Sequence, residues 1–252
     1  MTKTYFLTPG WDFPSSLPLL GTTIANPSQP DLALTSPPPS LTNITTTPPQ
    51  SYTSPPIANP ADPPTTSLFH TFLTTYGLGS EPAFTFDRKH SIRSYSFRDL
   101  QTARVQPSQE LLSAAAADAK VATLFANKVG VYLIVGVKTV RGAGVTVASS
   151  KGRGWDVNLE ISAGGEEGVV VAVEVVEVKR DGEEVVVREL DAGEERLQAR
   201  LDGEFGAGTF RVVKGVEEEG GEEVQIVTAS GTYVDLLTAS TAKVGGEHGI
   251  WY

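Results

Sequence analysis

Cysteine is absent from this 252-residue chain, methionine occurs once and histidine three times. Without cysteine there is no disulfide framework and no thiolate metal ligand, and the composition fits a reducing compartment. His70, His90 and His248 do not sit at ligand spacing, so each reads as a surface or helix-face residue. Long apolar runs are also missing. No stretch approaches the roughly 18 residues of a membrane-spanning helix. The opening Met1–Gly10 lacks the apolar centre of a secretory signal, so none is expected. There is no Gly-x-Ser-x-Gly elbow. Gly142 with Gly144, and Gly152 with Gly154, lack the rest of a nucleotide fingerprint and read as turns. Acidic pairs such as Glu166–Glu167, Glu183–Glu184, Glu194–Glu195 and Glu222–Glu223 lie beside glycines and read as solvated turn charge, not as catalytic dyads. The expectation is a protein that is not an enzyme and that needs no cofactor or metal.

Positive charge is scarce where negative charge accumulates. The net charge is −10, which disfavours nucleic acid as a partner. Residues 1–160 carry 12 Lys/Arg against 10 Asp/Glu, whereas residues 161–252 carry 8 against 20. The acidic half is either simply well solvated or a mask over a surface of the other half.

What the chain does have is strand pattern. Val131–Val140 is apolar on both parities, with Val131, Leu133, Val135 and Val137 on one face and Tyr132, Ile134 and Val140 on the other, as in a central strand covered on both sides. Trp155–Ser162 alternates strictly, placing Trp155, Val157, Leu159 and Ile161 on one face. Gly168–Leu190 reads as a valine-rich hairpin about an Asp181–Gly182 turn, and Phe205–Lys214 and Val224–Thr228 as further strands. Two helices are expected: a short one over Ser67–Tyr76 with Phe69, Phe72, Leu73 and Tyr76 in one stripe, and a long one over Pro107–Phe125. Ala83–Asp87 and Ser91–Arg98 read as short strands. Prolines crowd residues 36–66, which are expected to be extended and partly disordered, while apolar anchors in the first 34 residues strap across the body. The chain thus divides into a Pro/Ser/Thr-rich arm (1–66), an α+β domain (67–230) and a tail (231–252). The fold class expected is α+β, with a large twisted mixed or antiparallel sheet, one long helix and a few short ones.

Lys128–Ala143, with Tyr95–Pro107 before it and Phe205–Lys214 after it, resembles the strand–helix–strand order of fungal gasdermin-like cell-death proteins. Phe6–Pro14, Leu19–Gly21 and Asn26–Leu34 are similar to their opening, so the resemblance covers roughly residues 5–34 and 91–215. It implies a cytoplasmic protein that moves to the plasma membrane, binds acidic phospholipid, oligomerises with itself and opens a lytic pore, with an activating protease as a further partner. The lipid-facing cations it implies are Lys128, Lys138, Arg141, Lys151 and Arg153, with Arg88, Lys89 and Arg93 as a second group. From pattern alone, the same hairpins also fit an ordinary soluble sheet acting as a non-lytic protein-interaction module.

Overall fold

The computed structural model describes residues 2–10, 13–37, 41, 43–53, 67–76, 91–150, 155–163, 167–182, 184–188, 190, 193–217 and 221–229. The strands are β1 (Lys3–Leu7), β2 (Thr23–Ile24), β3 (Ile44–Thr46), β4 (Gln50–Thr53), β5 (Ser91–Val105), β6 (Val131–Arg141), β7 (Ala143–Ser150), β8 (Trp155–Ala163), β9 (Val169–Asp181), β10 (Glu184–Arg188), β11 (Phe210–Val216) and β12 (Glu223–Ala229). The helices are α1 (Leu68–Tyr76), α2 (Gln109–Ala117), α3 (Ala119–Ala126) and α4 (Glu194–Phe205). All the strands join one mostly antiparallel sheet in the order β11-β12-β1-β9-β6-β5-β7-β8, an α+β architecture. β10 adds to β9, β2 to β6, and β3 and β4 to β5.

β6 is the centre, and all but its last residues are buried, as its two-sided apolar pattern requires. Its parity is not constant. The register against β9 shifts between Ile134 and Gly136, leaving Val135 as an extra residue. Val137 therefore joins Tyr132 and Ile134 in one apolar cluster, and Val140 moves to the opposite face. This corrects the strict odd/even division expected for the strand.

One face of the sheet is covered by α4, by the apolar residues from Phe13 to Ile24, and by Phe6 of β1. The other is covered by α1 toward one end and by α2 and α3 toward the other. Burying a side chain such as Phe69, Phe72, Leu197 or Leu201 contributes about 2 kcal/mol, so the helices stabilise the sheet chiefly by burial. β1 lies inside the sheet, parallel to β12 and antiparallel to β9.

Three expectations change. The helix read over Pro107–Phe125 is two helices, because Asp118 is extended (φ −65°, ψ 133°). Its N–H closes α2 on Ala115 and its carboxylate caps Lys120 at 2.8 Å. The strand expected from Phe205 begins at Phe210, since Phe205 ends α4. Glu194 and Glu195, read as turn acids, form the first turn of α4, where negative charge complements the helix dipole. The hairpin over β9 and β10 forms as expected, with Gly182 at φ +65°. The strand expected at Ala83–Asp87 lies outside the described residues.

Candidate functional site

β5, β7 and β8 form a ribbon that continues the sheet past a bend. β6 and β7 are nearly one strand, interrupted at Gly142 (φ +57°). β5 follows both, pairing Asp99–Arg104 with Arg141–Gly136 and Ser91–Ser96 with Ser149–Gly144. β8 and β9 follow likewise on the other side of β6 and β7. At their junction a Cβ on Gly168 (φ +75°) would stand 2.6 Å from Arg141 Cγ and 3.0 Å from the Val140 carbonyl, so only glycine fits. Among the described residues, β7 pairs with β5 and β8 alone, and β8 with β7 alone. Val145 stands opposite Ile161 and Val147 opposite Leu159.

Of the candidate cations, the described residues include Lys128, Lys138, Arg141 and Arg93, which lie on different parts of β5, β6 and the turn before β6. Lys128 is exposed in the turn between α3 and β6 (φ 59°), beside Val129, which is 45% exposed. Arg141 is exposed at the other end of β6. At about 3.3 Å per residue the 11-residue strand puts roughly 33 Å between them. Arg93 lies in β5 opposite Val147. Arg88, Lys89, Lys151 and Arg153 lie outside the described residues. The described residues nearest them in sequence, Ser91, Ser150 and Trp155, share one end of the ribbon.

Lys138 corrects the expectation outright. It is fully enclosed, 0% exposed, and faces no membrane in this conformation. Its ammonium lies 2.9 Å from Glu217 and donates to Thr102 at 2.8 Å. Glu217 is itself 4% exposed. It also accepts from Arg104 Nη2 at 2.8 Å, from the Tyr5 hydroxyl at 2.7 Å and from Lys3 at 3.0 Å. Arg104 reaches Glu174 at 2.7 Å, and Lys3 reaches Glu222 at 2.6 Å. Lys138 and Arg104 both stand over the Tyr5 ring, 5.3 and 5.8 Å from its centroid. Gly136 makes room, because a Cβ there would lie 2.6 Å from Glu174 Oε2.

Burial alone would raise the Glu217 pKa. The Lys138 charge and hydrogen bond, with those of Tyr5 and Lys3, outweigh it and bring the carboxyl down to about 2. Burial and the nearby Glu174 and Glu217 charges push the Tyr5 hydroxyl well up. The cluster fastens β1, β5, β6 and β9 to one another through Glu217 and Glu174.

On the opposite face Glu177, 1% exposed, forms ion pairs with Lys179 at 2.7 Å and with Arg200 of α4. Tyr132 donates to Glu204 of the same helix at 2.7 Å. β9 is therefore tied by charge on both faces. A cleft of about 80 Å³ between Thr2–Thr4, Glu174–Val176 and Leu190 is far below the roughly 300 Å³ of a small-molecule site. Among the described residues no group of three His, Asp or Glu is placed to hold a metal ion. No helix there is long and apolar enough to cross a membrane, which says nothing about crossing with strands.

No protein-family profile matches this chain, and no curated protein matches it. Among solved structures it is similar to a bacterial gasdermin from Bradyrhizobium tropiciagri, at 10% identity and a TM-score of 0.33, over 60% of this chain and 71% of that one.

Proposed function

We propose that this chain is a gasdermin-like pore-forming protein that binds acidic lipid, assembles with further copies and opens a strand-lined lytic pore. The observation that carries the reading is the ribbon beyond Gly142, where, among the described residues, β7 and β8 pair only with β5 and with each other. The eight residues of β7 and nine of β8 span about 27–30 Å, close to the thickness of a bilayer's hydrocarbon core. A tilted spanning strand needs about 9–11 residues, which the nine residues of β8 meet and the eight of β7 fall one short of. The ties on both faces of β9 keep that strand with the body, which sets the boundary of the moving part at Gly142 and Gly168. The segments that resemble fungal gasdermins fall on β1, β5, β6 and β11 of this one sheet. The partners on this reading are acidic phospholipid, further copies of the chain and an activating protease, and the movement is from the cytoplasm to the plasma membrane.

The test is dye release from vesicles with and without phosphatidylserine, using the full chain and a chain ending at Ala229. Release is expected from the anionic vesicles only, and it should fall as salt is raised. If both proteins leave anionic vesicles intact, the pore is refuted and the non-lytic interaction module is the reading that remains.

A further inference from the structure

β5 has two edges. One pairs with β6 and β7. The other is covered from Ser96 to Val105 by β3 and β4, which come from the proline-rich arm. That cover is thin. None of residues 43–53 is buried, and only Thr47 and Tyr52 are half-buried. Tyr52 stacks on Phe97 at 6.1 Å. The Thr47 N–H donates to the Thr102 carbonyl at 2.9 Å, and the Thr102 N–H donates to Thr47 Oγ1 at 2.9 Å. Pro48 and Pro49 lack N–H groups and divide the cover into two short strands.

The other lateral edge of the ribbon is β8, whose outer side has no partner strand among the described residues. β5 is antiparallel to β7, and β7 to β8, so β5 and β8 run in the same direction. A second copy displaced sideways would set its β8 parallel to β5, beginning level with Ser91. β8 is nine residues long, but β4 reaches Ser96, so that among the described residues only Ser91–Tyr95 of this edge of β5 stands without a partner strand. We propose that residues 43–53 are an edge guard, and that their withdrawal lets β8 of a second copy pair along β5. The inference rests on the assembly reading above and concerns a step that precedes the membrane.

Thr53 and Ser96 are register partners and both exposed, and the chain has no competing cysteine, so T53C/S96C can lock the guard with a cross-strand disulfide. T47A/Y52A loosens it. Hydrogen exchange on the lipid-free full chain should show amides of residues 43–53 exchanging about a hundredfold or more faster than those of β6 and β9. T47A/Y52A should speed them roughly fivefold further. In sedimentation, T47A/Y52A should self-associate at lower concentration than the parent, and oxidised T53C/S96C should stay monomeric until reduced. Guard amides as slow as those of β6 would overturn the proposal. So would a loosened chain that stays monomeric, or a locked chain that associates alike oxidised and reduced. Intact vesicles alongside an opening guard and a self-associating loosened chain would count against the pore and support the guard.

Discussion

Glu217 draws hydrogen bonds from β1, β5 and β6 at once, through Lys3, Tyr5, Arg104 and Lys138. Its folded pKa of about 2 lies below the ordinary 4.5. The stabilisation is therefore whole above about pH 4.5 and is lost as pH falls toward 2, amounting to about 3 kcal/mol. Urea unfolding between pH 5 and 2 should show this loss, and E217Q should remove that part of the pH dependence. At neutral pH E217Q should cost about 3–5 kcal/mol, because it removes a buried charge that accepts from Lys3, Tyr5 and Arg104 and is paired with Lys138. K138M should cost less, since Glu217 keeps three other donors. None of this was legible residue by residue. Lys138 follows an apolar run and looks like the first exposed cation after it. The bulge at Val135, which puts Lys138 on the face of Tyr5 and not on that of Tyr132 and Ile134, has no signature in the apolar pattern.

Among the elements, long two-sided apolar runs were the most legible. β6 and the β9–β10 hairpin stand where their valines place them, because burial on both faces leaves little choice of partner. The helices were less so. Four consecutive alanines argue for one helix, yet Asp118 competes for the backbone and caps α3 instead. D118A should destabilise the protein by about 1 kcal/mol in urea while leaving helical circular dichroism unreduced. α4 is less legible because its first acids, Glu194 and Glu195, follow a glycine as turn acids do. Leu197 and Leu201, one turn apart behind Glu194 and Glu195, were the signal for it. Among the described cations of the expected set, Lys128 and Arg141 sit at opposite ends of β6. K151E/R153E reverses two charges and should weaken sedimentation with anionic vesicles by roughly tenfold or more. Unchanged binding would remove that loop from the membrane-facing set.

For the whole molecule, the charge asymmetry along the chain does not mark a separable restraint. Residues 193–229 supply α4, β11 and β12, and β12 sits between β11 and β1 inside the sheet. A chain ending at Gly215 should lose its cooperative thermal transition, whereas one ending at Ala229 should keep it. The same arrangement governs how the molecule is made. Lys3 leaves the ribosome well before its neighbour in the sheet, Val224, which is 221 positions later. Until translation has passed Ala229, the first strand has only half its hydrogen-bonding partners, and nascent chains held together on one messenger expose sticky backbone to each other. Maturation is therefore a late, all-at-once event of high contact order, and crowding during synthesis is the moment at which this protein is most prone to aggregate.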